Sequence, residues 1–197
     1  MTESPYLNHP EEEWPQITKG LVDGFPLSRE EIVKTVLEAW DNFYTSSFGN
    51  GKLTIGKDIF LPAQATGVIL EKLIASILEN KYPKLWKGGH EKTHKDIIHL
   101  EDDQFSFEIK TSSSPSGLYG NRSTGYRSDN SRKSRTGYYL VINYLLPKEE
   151  DTNKKVRKIR FGWIDDDDWV GQEQASGQQA SIGAHLAKLK LITLYQA

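Results

Sequence analysis

The stretch DIIHLEDDQFSFEIKT, residues 96–111, splits into two apolar runs, Asp96–Leu100 and Phe105–Thr111, joined by Glu-Asp-Asp-Gln. That is the pattern of two short strands and a turn. In the second run Phe105, Phe107 and Ile109 face one side, so Glu108 and Lys110 share the opposite, polar side. Asp96 opens the first run, 12 positions before Glu108. If Leu100 paired with Phe105 across a four-residue loop, Asp96 would stand opposite Ile109 and point to the wrong face. A three-residue loop or a bend at Asp96 would return it to the side of Glu108. An irregularity is therefore expected there.

Working outward, Gly137–Leu146 and Val156–Ile164 read as two further strands, a hairpin across the charged Pro147–Lys155 connection. Upstream, Ser28-Arg-Glu-Glu31 is a capping box that opens a helix with Ile32, Val33, Val36, Leu37, Trp40 and Tyr44 at helical spacing. A second helix follows Pro62, its apolar stripe made of Ile69, Leu70, Leu73, Ile74, Ile77 and Leu78, with Glu71 beside the stripe. Ala180–Leu189 is expected as a last helix and Leu191–Tyr195 as a final strand. Residues 1–27 hold four of the eight prolines and no clear periodicity, and read as an N-terminal arm lying on the domain. The order of elements predicts a mixed α/β (α+β) fold in a single domain, residues 1–197, with its strands clustered centrally.

Composition narrows the function. The 197 residues include no cysteine, which excludes disulfides, a Cys-ligated zinc site and thiol catalysis. The acidic N-terminus has no apolar signal region, and no run approaches a membrane span, so a soluble intracellular protein is expected. The net charge of −2 is close to neutral but segregated: acids gather at 101–103 and 165–168, bases at 122–135 and 154–160. Ser112–Thr136 is a long polar stretch rich in Ser, Gly, Arg and Asn, and long loops of this kind are usually functional or disordered.

An acidic-x-Lys triplet alone carries little information. Glu79-Asn-Lys81, at the end of a helix, is read as a chance match. Glu108-Ile109-Lys110 differs by its strand, its upstream aspartate and the cationic loop after it. Phosphodiester hydrolysis needs a hard cation to offset developing oxyanion charge and to make hydroxide available near neutral pH. Mg²⁺ takes one or two carboxylates plus waters and substrate phosphate. Asp96 and Glu108 are the expected metal ligands, with the Ile109 carbonyl a further candidate, and Lys110 is expected to orient or deprotonate the attacking water. Glu71 is either a third carboxylate of that site or an exposed helical glutamate paired with a lysine.

Arg122, Tyr126, Arg127, Arg132, Lys133 and Arg135 form the expected DNA-binding set in the 112–136 loop. Arginine can read guanine in the major groove, and cations aimed at phosphates add affinity without sequence information. Gln172, Gln174, Gln178 and Gln179 are candidates for recognition or dimer contacts, with capping and surface roles equally open. For Lys154–Arg160, backbone contact and a plain exposed hairpin are both open.

Asp96…Glu108-Ile109-Lys110, the preceding helix with Glu71, and the downstream Ser176-Gly-Gln-Gln-Ala180 resemble the type II restriction endonucleases of the PD-(D/E)xK superfamily, the ScaI-like enzymes nearest among them. The resemblance implies a restriction-endonuclease-like mixed β-sheet flanked by helices. It also implies a homodimer on a palindromic double-stranded site, products with 5′-phosphate ends, and a bacterial or archaeal cytoplasmic protein. The proline of the motif is absent here, Lys95 preceding Asp96. Competing readings are a non-catalytic DNA-binding module, a structure-specific repair nuclease or resolvase, and a zinc protease. The last rests on His90-Glu-Lys-Thr-His94, which matches HExxH but leaves little room for the required helix between Gly88-Gly89 and the strand at Asp96. Asp165–Asp168 reads as an acidic strand end or helix start in preference to a cation site, because four consecutive aspartates cannot converge on one face.

Overall fold

A computed structural model describes residues 3–91, 93–121, 135–148, 150–151, 153–172 and 179–197. A 3₁₀ turn (Glu11–Glu13) leads into α1 (Trp14–Asp23), followed by α2 (Arg29–Thr45), β1 (Ser47–Phe48), β2 (Leu53–Thr54) and α3 (Ala63–Lys81). Then come β3 (Trp86–Gly88), β4 (Ile97–His99), β5 (Phe107–Ser112), β6 (Tyr119–Asn121), β7 (Gly137–Leu145) and β8 (Lys155–Ile164). The chain ends with β9 (Val170–Gly171), β10 (Gln179–Ser181), α4 (Ala184–Lys190) and β11 (Leu191–Gln196).

Six strands form a central mixed sheet in the order β11-β8-β7-β5-β4-β3. All its pairings are antiparallel except β5 with β7, where Glu108 lies beside Tyr139 and Lys110 beside Val141. A parallel pair needs a crossover connection, and the long stretch between Ser112 and Gly137 supplies it. A smaller sheet, β6-β10-β9, is built inside and after that connection.

Alternation sorts the sheet's side chains onto two cores. Phe107, Ile109, Tyr138, Leu140, Ile142, Ile159 and Phe161 join α1, α2 and α3 in the larger one, through Val22, Val36, Phe43, Leu70 and Ile74. On the other face Tyr139, Val141 and Ile164 pack with Trp169, Ala180, Ile182 and Ala187. The strand β7 is buried along nearly its whole length, which accounts for its unbroken apolar run.

The N-terminal 27 residues, expected as an arm without periodicity, contain α1. Trp14, Ile17 and Leu21 are partly buried, Thr18 and Val22 fully so, which is a helical stripe. A buried threonine in the stripe hides it from a hydrophobicity reading; its hydroxyl bonds the Leu189 carbonyl at 2.9 Å and meets the Tyr6 hydroxyl at 2.9 Å. Phe25 then enters the centre of an aromatic cluster, within 4.6–6.0 Å of the rings of Trp86, Phe105, Phe107, Tyr138 and Phe161.

The serine half of the expected capping box forms, Ser28 Oγ accepting the Glu31 N–H at 3.1 Å, while the Glu31 carboxylate is taken by Lys81. The last helix starts at Ala184, four residues later than expected, because Gln179–Ser181 pair with β6 and β9. Among the described residues no helix is long and apolar enough to cross a membrane.

Candidate active site

β4 pairs with β5 at Ile97↔Phe107, and continuing that antiparallel register by one residue sets Asp96 opposite Glu108. This is the irregularity expected from the sequence. The link is longer than four residues, with a 3₁₀ turn at Asp103–Phe105, and Ser106 Oγ, which accepts the His99 N–H at 3.0 Å, holds the new register. Asp96 itself sits in a bend just before β4, its carbonyl accepting the Gly89 N–H at 2.9 Å. Only glycine fits at position 89: a Cβ there would lie 2.0 Å from the Lys95 carbonyl oxygen.

Asp96 Oδ2 accepts the Ile109 backbone N–H at 2.7 Å, which aims the carboxylate at the middle of the Glu108-Ile109-Lys110 triplet. Glu108 is buried and lies between two ammoniums. Lys110 Nζ is 3.3 Å from its Oε2 and Lys95 Nζ 3.9 Å from its Oε1. Lys110 Nζ also donates to the Ile109 carbonyl at 3.3 Å, and Lys95 Nζ to the Thr136 carbonyl at 3.1 Å. The two ammoniums stand 5.6 and 5.9 Å from the centre of the Tyr139 ring, which closes the site from β7. Burial, then the facing Glu108 charge, pushes the Asp96 carboxyl up to about 7; Lys110 and the Ile109 N–H act against that rise and Glu71 adds to it. Burial followed by the Glu108 charge raises the Tyr139 hydroxyl well above its usual range, so it stays protonated and donates to the Arg135 carbonyl at 2.6 Å.

Beside this cluster opens a cleft of about 1020 Å³, bounded by α3 on one side and by Lys110–Ser114, Tyr119 and Gln179 on the other. The helix can come this close because it carries Gly67, where a Cβ would lie 2.3 Å from Thr111 Oγ1. Glu71 lines the cleft, near enough to raise the Asp96 pKa, and pairs with Lys72 at 3.0 Å. Of its two readings, the pairing with a lysine is the one observed. Among the described residues no three His, Cys, Asp or Glu side chains are grouped to hold a metal. The site offers Asp96 and Glu108 as its carboxylate pair.

A buried polar network fixes the cleft's far wall. Asn143, fully buried on β7, donates from Nδ2 to the Ser114 carbonyl at 3.0 Å and the Gly117 carbonyl at 2.9 Å. Arg160, buried on β8, donates from Nη2 to Asn143 Oδ1 at 2.9 Å and to the Ser116 carbonyl at 2.8 Å. Lys95, Tyr139, Asn143 and Arg160 do not stand out as site residues in the sequence. The adjacency of Lys95 to Asp96 is the one local signal for any of them.

Of the expected DNA-binding set, Arg122, Tyr126, Arg127, Arg132 and Lys133 lie outside the described residues, as do Gln174 and Ser176–Gln178. Arg135 is largely buried and 3.5 Å from Asp166 Oδ1. Gln172 and Gln179 bond each other, with Gln179 N–H donating to Gln172 Oε1 at 3.3 Å. His90 is exposed, His94 lies 3.6 Å from Glu91, and the described residues of the segment form bends and a turn instead of a helix, which removes the geometry a zinc protease needs. Asp165 and Asp168 are occupied by Lys190, whose Nζ lies 2.8 Å from Asp165 Oδ2 and 2.7 Å from Asp168 Oδ2. Asp165–Asp168 is therefore an acidic turn following β8, as the sequence favoured. Arg160, placed by the sequence in an exposed hairpin or against nucleic acid, instead faces the interior.

A mixed sheet flanked by helices, carrying an acidic pair and a lysine at a polar cleft, defines a restriction-endonuclease-like protein. The profile of the ScaI restriction endonuclease family matches residues 4–195. The type II restriction enzyme ScaI of Streptomyces caespitosus is 34% identical over 196 residues, which covers 98% of this chain and 86% of that enzyme. The chain belongs to the ScaI restriction endonuclease family, and its class is that of a type II site-specific deoxyribonuclease. No solved structure is significantly similar to it.

Proposed function

We propose that this chain cuts double-stranded DNA at a specific site in an Mg²⁺-dependent hydrolysis that leaves 5′-phosphate ends, as the nuclease of a restriction system acting in the cytoplasm of a bacterium or archaeon. The observation that carries this reading is the convergence of the Asp96 carboxylate, held by the Ile109 N–H at 2.7 Å, with Glu108 and Lys110 at the edge of a polar cleft. The donor set suits a hard cation: two facing carboxylates, with no imidazole or thiolate grouped with them among the described residues, and an Asp96 carboxyl raised first by burial and then by the facing Glu108 charge, both of which a bound cation would offset. Asp96 and Glu108, with the Ile109 carbonyl, would hold Mg²⁺, which when bound supplies charge neutralisation at the phosphate and lowers the pKa of water.

The chain's own groups do the rest. Lys110 Nζ, held by Glu108 and the Ile109 carbonyl, is positioned to donate to a non-bridging phosphate oxygen and to align the attacking water in line with the leaving 3′ oxygen. Proton transfer to that oxygen leaves a 3′-hydroxyl, with the phosphate on the 5′ side. Tyr139 and the apolar residues beneath it keep bulk water from the back of the site. The hydroxyls of Ser112–Ser114 line the path the backbone would follow. Each chain carries one Asp96/Glu108/Lys110 cluster, and severing both strands at a symmetric site takes two, so the working unit is a homodimer. Metal preference and end chemistry are tested together by digesting phage-sized DNA with Mg²⁺, with Ca²⁺ and with EDTA, then ligating the fragments with and without phosphatase treatment. Discrete Mg²⁺-dependent bands that lose ligation after phosphatase support the reading; intact DNA under every condition would overturn it.

A further inference from the structure

A second cavity, of about 570 Å³, lies on the other side of the Ser116–Leu118 segment from the catalytic cleft, between β8 and α4. Its polar lining is cationic: Lys158, Arg160 and Lys188 face it, and no carboxylate does. Lys158 and Arg160 are two apart on β8 and so share a face; Lys188 approaches from α4. None of the three has an ion-pair partner among the described residues.

Arg160 is the unusual member. It is 6% exposed, its Nη2 meets only uncharged acceptors, and its Nε has no hydrogen-bond partner among the described residues. Burying a guanidinium without a counter-charge is costly, and here the charge is retained beside a cavity that two more cations line. An anion in that cavity would offset the cost. We propose that this cavity is a second phosphate-binding site, which takes a backbone phosphate of the same DNA duplex that the catalytic cleft engages. The inference rests on the DNA-cutting reading above.

Geometry supports that choice of ligand. Lys110 pairs beside Val141, and Val141 beside Arg160, so the catalytic lysine and the buried arginine lie on one sheet face two strand spacings apart, about 10 Å. Each strand of duplex DNA carries a phosphate about every 3.4 Å along the helix axis. A backbone seated at Lys110 therefore has further phosphates at the right distance. The Ser114, Ser116 and Gly117 carbonyls are bound to the Asn143–Arg160 pair, which fixes the wall that separates the two sites.

Lys158 and Lys188 are the residues to change, since neither is fully buried. A Lys158→Gln/Lys188→Gln variant is compared with wild type for binding, in Ca²⁺, to a duplex several turns long that carries the site mapped by digestion. The plot of log affinity against log salt should become shallower by about one to two units, at roughly 0.9 for each phosphate no longer neutralised, and low-salt affinity should fall on the order of tenfold. Cleavage rate at saturating DNA should be unchanged. Wild-type binding with an unaltered variant slope would overturn the second site and leave the nuclease reading intact. A variant altered only in its response to added inorganic phosphate would overturn the DNA contact in favour of a free anion. A wild-type protein that binds no DNA would overturn both readings.

Discussion

Asp96 and Ile109 are joined by a 2.7 Å hydrogen bond from the Ile109 N–H to the Asp96 carboxylate. A backbone donor from β5 thus holds an acidic side chain contributed by the neighbouring segment. The carboxylate pair, which like charge would push apart, is kept together by the sheet's own register at Ile97↔Phe107 and by the lysines on either side of Glu108. The energetic strain of this arrangement is expressed in the raised Asp96 pKa, to which burial contributes most and the facing Glu108 charge next.

That strain has a measurable sign. The Asp96 carboxyl titrates near 7 in the folded protein against 3.8 for its ordinary value, so between those pH values the folded state binds more protons. Its contribution to stability is present at low pH and is lost as pH rises towards about 7. Asp96→Asn cannot ionise and keeps an oxygen for the Ile109 N–H. In EDTA, the variant's stability relative to wild type should rise between pH 5 and pH 8 by on the order of 2 kcal/mol, while cleavage is lost. Thermal denaturation across that range reads the difference; a gap that shrinks with rising pH would contradict the electrostatic account.

Asn143→Leu keeps the volume and removes every hydrogen bond the amide makes. The Ser114 and Gly117 carbonyls lose their donor and Arg160 loses an acceptor, at a cost of about 2–4 kcal/mol. Urea denaturation should show that loss with little change in slope. DNA affinity should also fall, because the cleft wall is no longer held. Full stability in this variant would mean that the buried network is dispensable.

Lys190→Met leaves Asp165 and Asp168 without their shared cation, in a setting where Lys190 itself is 2% exposed. Breaking a buried pair from one side costs about 3–5 kcal/mol. Burial already raises the Asp168 carboxyl against the opposing pull of Lys190, so the variant should recover stability as pH is lowered and Asp168 takes up a proton. Calorimetry at pH 5 and pH 8 tests this; equal loss at both would argue against an uncompensated carboxylate.

Several features of this site are local in sequence and therefore legible. Glu108, Ile109 and Lys110 alternate on one strand, and the need to bring Asp96 to their face forecasts an irregularity that the Ile97↔Phe107 register and the Asp96 bend supply. Helices α2 and α3 and strands β7 and β8 carry strong periodicity or long apolar runs, and are legible too. Tyr139 is not, because it joins Glu108 only through the parallel β5–β7 pairing across 31 residues. Arg160 reads as exposed for a related reason: its charge is directed at the carbonyls of a loop 44 residues upstream. The α1 stripe escapes a sequence reading because Thr18 occupies a core position.

The most direct test of the account is a paired binding and cleavage assay on Lys110→Ala. Lys110 is partly exposed at the cleft, and among the described residues its hydrogen bonds go to Glu108 and Ile109, so its loss should leave the fold intact. The account predicts that the variant binds site-bearing DNA within about tenfold of wild type, as befits the removal of a single cation from the phosphate path. Its cleavage rate should fall by at least about a hundredfold, the scale of a lost proton-transfer or orienting group. Cleavage by Lys110→Ala at the wild-type rate would contradict the assignment of Asp96, Glu108 and Lys110 as the active site.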